Sequence, residues 1–488
     1  MASENPKSPN VKRPAGAPSA PVTPPNMETP PPSTAPAGKL PPLFRPIDWV
    51  AFALTFIISL VGYLWTLAPD LTLQDSGELA VGSMYAGVPH PPGYPVWTIY
   101  TWIFTKIVPF GNMAFRVGVS SAFASAVACG LITLMVSRGG SMFMESIAEF
   151  KGIARRIENS ICLVSGVVAG LLLAFNAFMW SQSIIVEVYS LSMLSLTGSV
   201  ICLLHWTYSP QQYRYLYLSW FLCGISFNNH QSLFVTTVAM EILMIAVQPR
   251  IGRAMLLWNS IFYGVGLMLT SKGSTLMSGN TPLLLIFNLI GLGSVIGYVW
   301  LSVRTRATAT EFMRDAVLVV VALGAMAAGG LRAMGVCVTL VLLVYVALDV
   351  MRQSQGRSMD WAPQWRKAIA CGIAFVIGAA FYLYMPLASM SNPPLNWGYP
   401  RTVGGFIHAF TRGQYEKIHP TAGAGANVVE QSWSDLDLQC FLVTRFLLLP
   451  KIIDAIRMER LLVAPQRRQH RALKRIVVTD ERAPLSGE

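Results

Sequence analysis

Charge is what this 488-residue chain lacks. Only 12% of it is Asp, Glu, Lys or Arg, against 53% hydrophobic residues and a mean hydropathy of +0.49. A soluble domain carries about 25% charged residues. A chain this poor in charge cannot cover its own surface in water, which excludes an ordinary soluble enzyme and an intrinsically disordered chain. Lipid is the solvent for most of it. Cysteine is also scarce. The seven cysteines are scattered, mostly inside apolar runs, with no CxxC pair, so neither a disulfide framework nor a zinc site is expected. His90, His205, His230, His408, His419 and His470 are isolated in sequence. No HExxH, Walker A or dinucleotide loop occurs, which argues against a metalloprotease or an ATPase. No cofactor and no metal is called for.

Residues 1–46 stand apart. Fourteen are proline and no apolar period exists, so the segment reads as a disordered, Pro-rich cytoplasmic tail. The apolar run after it lacks a small-residue cleavage site and reads as a retained first span. With about 20 apolar residues per crossing, spans are predicted near 49–68, 114–137, 160–179, 188–207, 215–229, 232–248, 255–270, 281–302, 315–330, 333–350 and 368–387. A half-apolar stretch at 438–453 is a last span or an interfacial helix. The fold expected is all-α, a polytopic bundle of about 11–12 spans over 47–416. A short C-terminal region, 417–488, follows and ends in a basic tail.

The aromatic-rich stretch 94–110 decides the sidedness. If it lies in the interface and does not span, 14 Lys and Arg of the loops after residue 137 fall on one side, with only Lys272 and Arg332 on the other. Basic loops are cytoplasmic, so 94–110 is taken as an interfacial juxtamembrane helix. The net charge of +12 is then mostly a topology signal, and nucleic acid need not be invoked. The opposite face collects the polar groups: Asp70, Asp75, Glu78 and His90, then Glu187, then Asn228, Asn229 and His230, and the segment 388–437.

The first outer loop carries three acids and no base. Asp75 and Glu78, three apart, share a face of a helical turn and could serve as general base, or could form a capping box; the two readings are compatible. His90, in HPPGYP, sits in a rigid turn that ends at Tyr94, where it could orient a carboxylate, bind phosphate or simply stay exposed. Arg116 is an interfacial anchor or a cation for a lipid phosphate. Glu187 and Tyr189 lie at a span boundary, where acids are uncommon. Asn229 and His230 join two short apolar runs that either cap helices or line a cavity. Glu241, in mid-span, has no partner nameable from sequence. A short helix is expected at 403–412. Arg401 and Arg412 suit phosphate, and Tyr415 follows in Arg-Gly-Gln-Tyr.

Taken in order, DSGE, HPPGYP, Ala-Phe-Arg at 114–116, Trp-Ser-Gln and Glu-Val-Tyr-Ser-Leu within 180–191, Asn-Asn-His, and Pro-Pro-Leu-Asn-Trp-Gly resemble the transmembrane protein 260-like family over about 45–416. The resemblance implies a membrane glycosyltransferase of the C fold. Such an enzyme moves mannose or a similar sugar, with inversion, from a polyprenyl-phosphate carrier to a hydroxyl, with protein Ser or Thr the expected acceptor. It implies Asp75 as catalytic acid residue of the first outer loop, with Glu78 second. His90, Tyr94, Arg116, Glu187, Tyr189, Asn229, His230, Arg412 and Tyr415 would bind substrate. The expected location is the cytoplasmic membrane with the site facing outward, or the endoplasmic reticulum lumen in a eukaryote. The family's helical-repeat domain has no counterpart in 416–488. A transporter, a lipid flippase or an inactive scaffold is the alternative.

Overall fold

The computed structural model describes residues 42–411, except 73–74, 147–149, 151, 272–280 and 355–361. The Pro-rich tail up to residue 41, Arg412, Tyr415, the stretch 438–453 and the basic tail lie outside the described residues. The rest is an all-α polytopic bundle, with no strand among the described residues. Fifteen helices follow in order: α1 (Pro46–Trp65), α2 (Ser76–Tyr85), α3 (Pro95–Ile107), α4 (Met113–Ser146), α5 (Arg155–Ala174), α6 (Ala177–Ser183), α7 (Tyr189–Tyr208), α8 (Tyr213–Asn229), α9 (Thr236–Val247), α10 (Pro249–Ser271), α11 (Thr281–Arg304), α12 (Ala309–Ser354), α13 (Ala362–Ala379), α14 (Tyr384–Met390) and α15 (Val403–Phe410).

Among the described residues, eight helices are long and apolar enough to cross a membrane: α1, α4, α5, α7, α10, α11, α12 and the α13–α14 stretch. α8, with 17 residues, and α9, with 12, are shorter. α3 has 13 residues, about 20 Å at 1.5 Å per residue, well short of the roughly 30 Å hydrocarbon core. Length alone therefore keeps α3 from crossing. α12 is the opposite case. Its 46 residues would extend about 69 Å if straight, enough for two crossings. The spans read from sequence as 315–330 and 333–350 lie in this one element, and Gly330, at φ 69° and ψ −162°, breaks it at their junction.

Small residues set how closely the helices approach. α8 and α13 touch backbone to backbone at Gly224 and Gly378. A Cβ on Gly224 would stand 2.3 Å from Phe375 O, and one on Gly378 2.3 Å from Phe221 O. Asn228 completes this contact by donating from Nδ2 to Gly378 O at 2.8 Å. Around it lies the largest apolar cluster, with Trp206, Leu216, Trp220, Met240, Met244, Leu257 and Leu318. A second cluster, with Leu79, Tyr94, Trp97, Val117, Val186 and Val188, lies beneath the loops before α2 and α7 and gives the candidate site its floor. The six described cysteines are free and buried or half-buried, as expected of packing residues.

Candidate active site

Asp75 is the N-cap residue of α2, and its carbonyl accepts the Leu79 N–H at 2.9 Å. Its carboxylate makes no capping bond and is 59% exposed. The capping box envisaged from sequence does not form, because Glu78 turns the other way. Its Oε1 accepts the backbone N–H of His90 at 2.5 Å, and both its oxygens lie 3.2 Å from His90 Nδ1. The far ring nitrogen, Nε2, is 3.1 Å from the Tyr94 hydroxyl and 3.9 Å from Asp75 Oδ2. One imidazole thus bridges the two carboxylates of the first loop. Donor atoms of Asp75, Glu78 and His90 all fall within 4.8 Å of one another, a spacing that suits a metal ion. Histidines isolated in sequence gave no sign of it.

The turn that presents His90 is held from outside. Gly93 has φ +85°, and a Cβ there would lie 2.2 Å from Met385 Sδ, so glycine is required on both counts. The peptide between Pro91 and Pro92 is cis. Val88 donates to Leu395 O at 2.9 Å, Trp397 donates to Val88 O at 3.0 Å, and Tyr384 donates its hydroxyl proton to Ala86 O at 2.5 Å. The segment 384–397 therefore straps the His90 loop, a contact spanning about three hundred residues that nothing local in the sequence announces. The helix read at 403–412 is present as α15, capped by Thr402, whose hydroxyl accepts the Gly405 N–H at 3.0 Å.

Glu187 joins the cluster from the α6–α7 link. It is 5% exposed, and its backbone carbonyl accepts Trp97 Nε1–H at 3.1 Å. Its carboxyl accepts the Val188 N–H at 3.2 Å. Burial pushes the carboxyl up to about 7; the Asp75 charge adds to the rise, while the Val188 hydrogen bond and His90 oppose it. Glu187 is thus electrostatically coupled to both Asp75 and His90.

The remaining candidates are placed as follows. Tyr94 is buried, at φ 39°, and closes the site beneath His90. Arg116, at the start of α4, donates to Gly111 O and Thr105 O, both at 3.1 Å. It ties α4 to the end of α3, and no hydrogen bond joins it to the acids among the described residues. Tyr189 stands between the rings of Phe178 and His230, each at 5.9 Å, and His230 Nδ1 makes a short hydrogen bond with Ser232. Asn229 is fully buried, and neither amide atom has a hydrogen-bond partner among the described residues. Glu241 does find a partner. Asn259 of α10 donates to its Oε2 at 2.7 Å, and Glu241 borders a cavity of about 410 Å³ lined also by Gly293, Gly297 and Trp300.

Residues 75–251 match the family model described as the protein O-mannosyl-transferase TMEM260 N-terminal domain. Over this segment the chain is similar to the TMEM260-like family. The protein O-mannosyl-transferase tmem260 of Dictyostelium discoideum is 25% identical over 279 residues, covering 54% of this chain and 30% of the relative. Protein O-mannosyl-transferase TMEM260 of Mus musculus is 29% identical over 173 residues, covering 34% and 22%. The chain thus spans less than a third of the length of these curated relatives. No solved structure matches. The TMEM260-like segment opens at Asp75 and contains Glu78, His90, Tyr94, Glu187 and His230; the strap at 384–397 lies outside it.

Proposed function

We propose that the chain is a membrane O-mannosyltransferase that moves a mannosyl unit from a polyprenyl-phosphate carrier to a Ser or Thr hydroxyl of a protein. The observation that carries the reading is Asp75. It is an exposed carboxylate at the first turn of α2, held beside an imidazole that Glu78 fixes, in a segment similar to proteins named for this transfer.

Asp75 takes the proton of the acceptor hydroxyl as its oxygen forms the bond to the anomeric carbon. The bond from that carbon to the carrier phosphate breaks, and the lipid phosphate leaves with the electron pair. One carboxylate base suffices for this inverting course, with no covalent intermediate. Glu78 and His90 position Asp75, and Glu187 and Tyr189 border the donor side. The distribution of Lys and Arg supports a site on the non-cytoplasmic face.

The test is transfer of radiolabelled mannose from polyprenyl-phosphate mannose to a Ser/Thr-containing peptide by the purified full chain in nanodiscs. Wild type should transfer and Asp75→Asn should lose at least 100-fold with insertion unchanged. Wild-type rates in the Asn variant would sink the mechanism.

A further inference from the structure

We infer that Asp75 and His90 hold a divalent cation, of the Mn²⁺ or Mg²⁺ class, at the mouth of this site. The inference rests on the proposed transfer only for the phosphate that the ion would meet.

Geometry is the first ground. Two ligands bound to one such ion at about 2.1 Å stand roughly 3–4 Å apart. His90 Nε2 and Asp75 Oδ2 are 3.9 Å apart. On the other side of the ring, Nδ1 faces both Glu78 oxygens at 3.2 Å. A carboxylate on Nδ1 keeps the proton there and turns the Nε2 lone pair outward, which is how metal-ligating histidines are held. The Tyr94 hydroxyl, 3.1 Å from Nε2, exchanges that hydrogen bond for the ion's water shell.

Charge is the second ground and is independent of the first. Asp75 and Glu78 meet at His90, Glu187 interacts electrostatically with Asp75, and among the described residues no Lys or Arg forms an ion pair with any of the three. Glu187 makes the point most clearly. It is 5% exposed, it interacts electrostatically with Asp75 and His90, and its carboxyl takes a single hydrogen bond among the described residues, from Val188 N. A buried carboxyl that feels the Asp75 charge, with no Lys or Arg paired to it among the described residues, suits a place that takes a cation. Arg116, the cation candidate read from sequence, donates to Thr105 O in the last turn of α3 and to Gly111 O in the α3–α4 link.

Chemistry selects the ion. One imidazole and one carboxylate leave most of the coordination shell to water and to ligand oxygens, the pattern of ions that bind substrate phosphates. With Oδ2 on the ion, Asp75 Oδ1 remains to take the acceptor proton. The ion then meets the negative charge that grows on the departing phosphate.

The test is Mn²⁺ titration of the purified full chain in nanodiscs, read by loss of the free-ion signal in electron paramagnetic resonance. Wild type should bind one Mn²⁺ per chain. His90→Gln and Asp75→Asn should weaken it at least tenfold, and Glu241→Gln should leave it unchanged. If the His90 variant does not insert, nitrogen hyperfine coupling to Mn²⁺ in the wild type reports the imidazole ligand directly. No binding at millimolar Mn²⁺, or equal binding by the His90 and Asp75 variants, overturns the site. Mannose transfer in EDTA, measured alongside, separates the two readings. Transfer that survives EDTA with no bound Mn²⁺ removes the ion and leaves the transferase, whereas bound Mn²⁺ without transfer supports the site and removes the transferase.

Discussion

Replacing Glu187 by Gln makes stability respond to pH in a way that burial dictates. The carboxyl sits at about 7 in the folded chain, raised first by burial and then by the Asp75 charge, against an ordinary value of 4.5. Between these values the unfolded chain has lost the proton and the folded chain keeps it. The folded state binds more protons, so stability falls as pH rises through the window, by about 1.4 kcal/mol per pH unit at most. Across the whole interval the cost approaches about 3 kcal/mol. It is complete above pH 7 and absent below 4.5. A glutamine at this position cannot ionise. Its melting temperature should match that of wild type at pH 4.5 and exceed it by roughly 3–6 °C at pH 7.5. The assay is thermal unfolding of both proteins in nanodiscs from pH 4.5 to 8. A gap between them that stays constant across that range would refute the burial argument, and with it the placement of Glu187 against Asp75 and His90.

Three further outcomes follow from the packing. Gly224→Val places a branched side chain where even a Cβ would lie 2.3 Å from Phe375 O; overpacking of this kind costs about 1–3 kcal/mol or more, so the yield of folded protein after detergent extraction should collapse. Gly335→Ala, where a Cβ meets nothing within 4 Å, should match or slightly exceed wild type in the same extraction. Tyr384→Phe removes the hydroxyl that holds Ala86 O, worth about 1 kcal/mol; hydrogen exchange at residues 86–90 should accelerate roughly fivefold while exchange in α8 stays put.

How much of this was visible in the sequence depended on how local the cause was. Helices announced themselves through runs of apolar residues, because about 20 such residues are needed wherever a chain crosses lipid. Loop charge argues that 94–110 stays out of the membrane, and the 13 residues of α3 are too few to cross it. The two spans read at 315–330 and 333–350 lie within one helical element, which Gly330 breaks at their junction. Partners from distant elements were not legible. Glu241 reads as an orphan until α10 delivers Asn259. The 384–397 strap reads as a polar loop until Leu395 and Tyr384 meet the backbone at 86–88.

The capping box that Glu78 does not form shows where local reasoning stops. Asp75 and Glu78 have the spacing of a capping box, and a helix does begin between them. A capping box gains one hydrogen bond for Glu78, to the N–H of the cap residue. The HPPGYP turn offers more: a backbone N–H and a ring nitrogen in one direction. Two hydrogen bonds to one carboxyl outweigh one. The choice depends on the turn being held in place, and that is the work of Met385 against Gly93 and of Leu395 against Val88. Asp75 is thereby left uncapped and exposed, with an imidazole at its side. A carboxylate freed from a structural bond is the one available for chemistry. The strap, remote in sequence and outside the TMEM260-like segment, is what frees it.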